Sequence, residues 1–445
     1  MKNEKVLIVD CGSAHAQILA RRIRDLNVYS EVRPFRTDFE KVKAMNYRAF
    51  IFIGSLDRKD RQAEIKELFE TYKSLQKPIL LVEIAPEIAQ ENKEQGIFRL
   101  HEKIEFVQSE AEKTALKEFL YEQVELTGDW QVQDFIDAQI RNIQAEVGDK
   151  KLILGLSGGV DSAVAAVLVH KAVGSQLTCI FVDHGLMRKN EADFVDRIFR
   201  EEYDMNFVHV NAEERFLNRL ADVSDPEKKR KIIGEEFIRV FEQEARKIKD
   251  AEYLVQGTIY PDIIESDAEE GKLVKSHHNV GGLPEDIEFA GIIEPLKDLF
   301  KDEVRKVGLE LGLPENLVYR QPFPGPGLAV RIIGTITKAK ANLLREADAI
   351  MREEIANAGL EREIDQYFAV LTGIQSVGVR DENRTYDYTV AIRAVKTVDF
   401  MTATYYQIPY EVLDIISKRI TSEVEGINRV VYDITGKPPA TIEWE

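Results

Sequence analysis

Cysteine is scarce in this chain: Cys11 and Cys179 are the two among 445 residues, and each neighbours an apolar run. So sparse a set excludes a disulfide framework and a cysteine metal cluster, and it predicts two buried thiols. Long hydrophobic runs are missing as well. None approaches the roughly 18–20 residues that a bilayer span requires, so no membrane association is expected. Positive charge is in deficit: 60 Lys and Arg face 78 Asp and Glu, leaving a formal −18. That balance argues against a nucleic-acid partner. It also means that an anionic ligand must be held by local donors and bound cations, because the overall field repels it. The opening residues carry no leader pattern. Met1–Lys5 runs straight into a strand-like Val6–Val9, and the expected compartment is the cytoplasm. Internal repeats and low-complexity tracts are absent.

What is present is an ordinary globular composition, 44% hydrophobic and 31% charged, on a chain too long for one core. The expected class is α/β, in three regions. Residues 1–126 alternate strand-like Val6–Val9, Ala49–Ile53 and Pro78–Val82 with helical segments, ending in a charged helical pattern over Ala111–Glu125. Residues 127–323 repeat the rhythm with strands at Lys151–Gly155, Leu177–Val182, Asn206–Val210 and Tyr253–Gln256. Apolar strands separated by helices predict a parallel sheet covered on both faces, with ligands at the carboxyl ends of its strands. Pro322–Gly327 is a strong break. Beyond it, residues 324–445 read as a compact α+β domain, with a helix over Lys338–Ala358 and strands at Phe368–Leu371, Tyr388–Arg393 and Arg429–Ile434.

One stretch carries chemistry. Ser157-Gly158-Gly159-Val160-Asp161-Ser162 lies between the strand at Lys151–Gly155 and a helix expected over Ala163–Val173, closed by Gly174. A Ser/Gly loop opening a helix is an anion site: glycine permits close backbone approach, and the first N–H groups point at the ligand. No Lys-Ser/Thr pair follows the second glycine, so this is not a Walker loop. The plain alternative is a glycine turn ahead of a core helix.

Ser157–Ser162 resembles the pyrophosphate loop of the N-type ATP pyrophosphatases, which cleave ATP between its α and β phosphates and adenylylate a second substrate. Longer stretches are similar to the GMP synthetase family: Asp225–Gly234, Gln256–Ser266, Lys275–Pro284, Glu294–Lys297, Phe300–Lys306, the Pro322–Gly327 break and the tail Gly436–Glu445. The resemblance covers residue 130 to the C-terminus. It implies conversion of xanthosine monophosphate (XMP) to GMP: AMP is transferred to the C2 oxygen, pyrophosphate leaves, and ammonia displaces AMP. On that resemblance Ser157, Gly158, Gly159, Val160 and Ser162 would bind the β and γ phosphates, and Val182 and Gly257 would lie near the adenosine. A carboxylate beside a polyphosphate needs a cation between them, so Asp161 is read as a Mg²⁺ ligand. Lys301 and Asp302 would join the phosphate and metal cluster, with Asp302 a second metal ligand. Asp262, Glu265, Lys275, His277 and His278 would belong to a lid over ATP and XMP, for which His277-His278 as a metal pair is the rival reading. XMP would be held by Arg230, Arg429 and Lys437, with Thr441, Ile442 and Glu443 closing around it, and the third domain would form a homodimer. One departure falls at Val379–Tyr386, where the family's glycine is missing.

The front region resembles the opening of a class I glutamine amidotransferase domain, in Val6–His15 and Ala20–Arg24. In such a domain a Cys on a strand–helix elbow, within Gly-x-Cys-x-Gly-x-Gln, attacks glutamine. The corresponding stretch here is Leu81-Val82-Glu83-Ile84-Ala85-Pro86-Glu87, so Glu83 stands at the nucleophile position and Leu81 and Ala85 replace glycines. A carboxylate cannot form the glutamyl thioester. The family's later His-x-Glu segment is absent, and His101 reads as a surface residue. Ammonia would then come from solution or from a separate glutaminase subunit. Two other readings stay open: an ATP pyrophosphatase acting on a related purine nucleotide, and a non-catalytic nucleotide-binding regulator. The role of the front region, as docking surface, stabilising flank or remnant, is also open.

Overall fold

The computed structural model describes residues 4–54, 61–101, 104–105, 108–263, 289–380, 382–397 and 402–445. The described residues form two compact units. The first draws on 1–142, 258–274 and 296–310; the second draws on 143–257, 275–295 and 311–445. Two segments from the middle of the sequence therefore belong with the front region.

The first unit is built on a parallel sheet of β1 (Lys5–Asp10), β2 (Tyr29–Pro34), β3 (Ala49–Ile53), β4 (Ile79–Val82) and β5 (Ile97–Leu100), in the order β2-β1-β3-β4-β5. Alternation along each strand splits its side chains between two cores. Val6, Ile8, Ile51, Ile53, Leu80 and Val82 face one. Leu7, Val9, Phe50, Phe52, Ile79 and Leu81 face the other. β2 and β5 were not expected from sequence. β2 carries Glu31, Arg33 and Pro34, and its place at the sheet edge is where a proline is tolerated.

The second unit holds β6 (Lys151–Leu156), β7 (Leu177–Asp183), β8 (Asn206–Asn211), β9 (Ala251–Val255) and β10 (Gly291–Ile293), parallel in the order β10-β9-β6-β7-β8. The chain leaves β6 toward β7 on one side and returns to β9 on the other. That makes the carboxyl ends of β6 and β9 a topological switch point. The helix after β6 spans Val160–Val173, beginning three residues earlier than expected, and Gly174 caps it at φ +56°. The same unit carries a mixed sheet of β11 (Gln366–Arg380), β12 (Asn383–Thr397), β13 (Ala403–Tyr405) and β14 (Ile427–Asp433). β11 and β12 are far longer than the sequence suggested. The altered Val379–Tyr386 stretch is thus the tip of a hairpin, with Asp381 outside the described residues. No helix among the described residues is long and apolar enough to cross a membrane.

Candidate functional site

β6 ends at Leu156, and the chain turns through Ser157-Gly158-Gly159 into the helix at Val160. Gly158 lies at φ +75°, a conformation in which a side chain would be strained. The loop is knit by its own hydroxyls. Ser157 Oγ and Ser162 Oγ are 3.0 Å apart, the Gly159 N–H donates to Ser157 Oγ at 3.3 Å, and Ser162 Oγ donates to Gly159 O at 3.1 Å. A helix's first-turn N–H groups have no acceptor within the helix, so this turn presents donors and positive dipole charge where the loop opens. Asp161 is in that turn, with its carboxylate Oδ1 buried.

Gly257, just beyond β9, meets this turn from the other side of the switch point. A Cβ there would stand 3.3 Å from the Asp161 carbonyl carbon and the Ser162 nitrogen, so glycine alone packs without displacing the backbone. Val182 lies in β7 and is fully buried, backbone included. The structure thus brings Ser157, Gly158, Gly159, Val160, Asp161, Ser162 and Gly257 together.

The sequence reading missed Arg320. Its guanidinium donates to the Gly158 carbonyl and pairs with Glu191, with side chains 11% and 6% exposed. Burial alone would raise the Glu191 pKa, but the Arg320 and Arg188 guanidiniums outweigh it and hold the carboxyl below its usual range. Glu191 Oε2 also accepts the Arg188 backbone N–H at 3.1 Å. The available signal is an arginine two residues ahead of the Pro322–Gly327 turn.

The C-terminal tail is fixed by three fully buried cations that sequence did not single out, because burial of a cation is decided by packing. Arg331 holds the Glu443 carboxylate through two bonds of 3.0 and 2.8 Å. Arg393 donates to Ile442 O at 2.7 Å and Thr441 O at 2.9 Å, and pairs with Asp433 at 2.8 Å. Lys229 pairs with Glu445. Burial pulls the Lys229 pKa down, against the opposing Glu445 carboxylate. Of the residues expected at XMP, Arg230 reaches the tail at Glu445 O (2.5 Å), Arg429 donates to Ser376 Oγ (3.1 Å), and the Lys437 backbone pairs with Ala403. Glu443 is committed to Arg331, which makes its carboxylate an anchor of the tail.

Asp262, Lys301 and Asp302 belong to the first unit. Asp262 Oδ2 accepts the Ile259 N–H at 2.9 Å, and Lys301 and Asp302 open the helix Lys301–Glu310. Asp302 Oδ1 lies 3.5 Å from Arg21 Nε. Glu265, Lys275, His277 and His278 lie outside the described residues. Among the described residues no cluster of three or more His, Cys, Asp or Glu side chains could hold a metal.

Glu83 follows β4 directly, at φ +53°. Glu83 itself is in the left-handed region although Leu81 and Ala85 stand where the resemblance places glycines, but no helix follows β4, the next element being the short turn Lys93–Gln95, so the strand–helix elbow is not formed here. The Glu83 carboxylate lies 3.5 Å from His15 Nδ1 and 3.5 Å from Ser13 Oγ. Cys11 directly follows β1 as a buried thiol whose pKa burial raises, with Asp10 adding to the shift. Cys179 is likewise buried and pushed up to about 12. His101 is exposed.

Residues 353–444 match the GMP synthase C terminal domain, and residues 131–229 match the NAD synthase family. The GMP synthase (glutamine-hydrolyzing) of Acetivibrio thermocellus is 51% identical over 511 aligned positions, covering 100% of both chains. That of Ruminiclostridium cellulolyticum is 49% identical with the same coverage. This chain belongs to the GMP synthase family.

Proposed function

We propose that this chain aminates XMP to GMP at the expense of ATP, using ammonia that it does not itself release from glutamine. The observation that carries the reading is the Ser157–Ser162 loop at the switch point with Gly257 packed on its helix turn, in a chain of this family. In the first half-reaction the XMP C2 oxygen attacks the α-phosphorus, the bond to the bridging oxygen breaks, and pyrophosphate leaves. The charge gathered on pyrophosphate is what catalysis must stabilise. The loop's N–H groups and the Ser157 and Ser162 hydroxyls would supply donors to it. Ammonia then adds at C2, AMP departs with its C–O bond electrons, and the nitrogen loses a proton. Mg²⁺ when bound would neutralise phosphate charge. Asp161, in the first turn with one oxygen buried, fits a phosphate-bridging ion that needs only one or two carboxylates.

Three features support the loss of glutaminase chemistry. Glu83 follows β4 where the resemblance would place a thiol, and Cys11 is buried just beyond another strand. Furthermore, the alignment runs over 511 positions against 445 residues here, so the relatives carry segments without a counterpart. A homodimer through the third region is supported by exposed apolar side chains on the outer hairpin, Val377, Val379 and Tyr386 among them.

The test is GMP and pyrophosphate formation from XMP and ATP-Mg²⁺, run with ammonium and, separately, with glutamine. Product with ammonium alone is expected. Glutamine-driven product would overturn the glutaminase loss. Equal turnover of other purine nucleotides would favour the related-substrate reading, for which the altered hairpin tip at Arg380–Asn383 is the motive.

A further inference from the structure

The peptide between Gly158 and Gly159 is gripped on both edges. A trans peptide points its C=O and N–H in opposite directions, so fixing one fixes the other. Here the carbonyl accepts from Arg320, and the N–H donates to Ser157 Oγ, which in turn lies against Ser162 Oγ. The left-handed Gly158 has no side chain to resist rotation of this peptide. Were it to flip, the carbonyl oxygen would turn to the Ser157 side of the loop, and the Ser157 hydroxyl would lose its donor.

Arg320 is itself held. Glu191 takes the other nitrogen of its guanidinium and is tied in turn to the Arg188 backbone. The next residue, Gln321, accepts the Tyr367 N–H at 3.0 Å and donates to Ile364 O at 3.3 Å, anchoring the segment to β11. A planar fork that spans a carbonyl and a carboxylate is a task for arginine and not for the single ammonium of lysine.

We propose that Arg320, anchored by Glu191, is a positioning residue for pyrophosphate: it sets the Gly158–Gly159 peptide so that the loop offers donors, not a carbonyl, to the departing phosphates. This deepens the adenylylation reading and rests on it. Arg320 acts through the backbone and is not assigned contact with the substrate.

The experiment compares wild type, Arg320→Lys and Glu191→Gln in two measurements. One is XMP-dependent pyrophosphate release as ATP-Mg²⁺ and XMP are varied in turn; the other is calorimetric binding of inorganic pyrophosphate with Mg²⁺. A hydrogen bond to a charged group leads us to expect a rise of about tenfold or more in the ATP KM and the pyrophosphate Kd, with the XMP KM near wild type. Two variants are used so that one misfolded protein does not decide the matter, and Glu191→Asp should restore part of the loss. A folded variant with wild-type ATP KM and pyrophosphate Kd would overturn the proposal. So would equal losses for ATP and XMP that follow a lowered melting temperature. If wild type releases no pyrophosphate with XMP, the adenylylation reading fails, and the binding measurement still judges Arg320.

Discussion

Arg24 and Glu303 form an ion pair of 2.7 Å inside the first unit, each side chain 2% exposed and 279 residues apart in sequence. Arg24 also donates to the Ser30 carbonyl, and Glu303 accepts the Phe300 N–H at 2.8 Å. The Tyr260 hydroxyl donates to Val32 O at 3.1 Å nearby, and Tyr260 and Phe300 join the core formed by β1, β3 and β4. The front region therefore supplies the packing partner of the helix that carries Lys301 and Asp302. A stabilising flank is the role these contacts support.

Removing one partner leaves a buried charge uncompensated. Arg24→Met should destabilise the first unit by about 3–5 kcal/mol in urea unfolding, while Arg24→Met combined with Glu303→Leu should recover much of that loss. A cost under about 1 kcal/mol for Arg24→Met would show the pair to be dispensable.

Just after β4, Glu83 at φ +53° carries backbone strain that glycine would not. Glu83→Gly should raise stability by about 0.5–1 kcal/mol in thermal or urea melts. Glu83→Cys should give no glutamine-dependent GMP, because a thiol there would have no family His-x-Glu pair behind it.

If Asp161 holds the phosphate-bridging cation, Asp161→Asn should lower XMP-dependent pyrophosphate release by about 10²-fold or more with the melting temperature retained. An active Asp161→Asn enzyme would remove the metal-ligand role.

Glu191 has a folded pKa below its ordinary 4.5. Its charged form is favoured in the folded state, so its contribution is complete above about pH 4.5 and is lost as pH falls through the folded value. The stability gap between wild type and Glu191→Gln should therefore shrink on acidification below that point, as read from melts at stepped pH. A gap that stays constant down to acid unfolding would contradict the assignment.

Val377 and Val379 alternate onto one face of β11, and Tyr386 on β12 pairs opposite Val377. Replacing both valines with lysine should convert a dimer to a monomer in sedimentation experiments. A wild-type monomer would refute the hairpin as a dimer surface.

The sequence by itself determined the α/β class, the strands with continuous apolar runs and the Ser157 loop, because each depends on neighbours along the chain. Val6–Val9 and Leu177–Val182 announce themselves by composition, and Gly158 by the turn it must make. Tertiary structure alone decided the rest. β2, with its charges and proline, is a strand only because β1 offers it an edge. Gly257 matters because β9 lies beside β6. Arg320, Arg331 and Arg393 look like surface charges until packing buries them, and their partners, from 40 to 162 residues away, are brought within bonding distance only by the folded chain. Burial and long-range pairing are properties of the assembled core, and no local pattern encodes them.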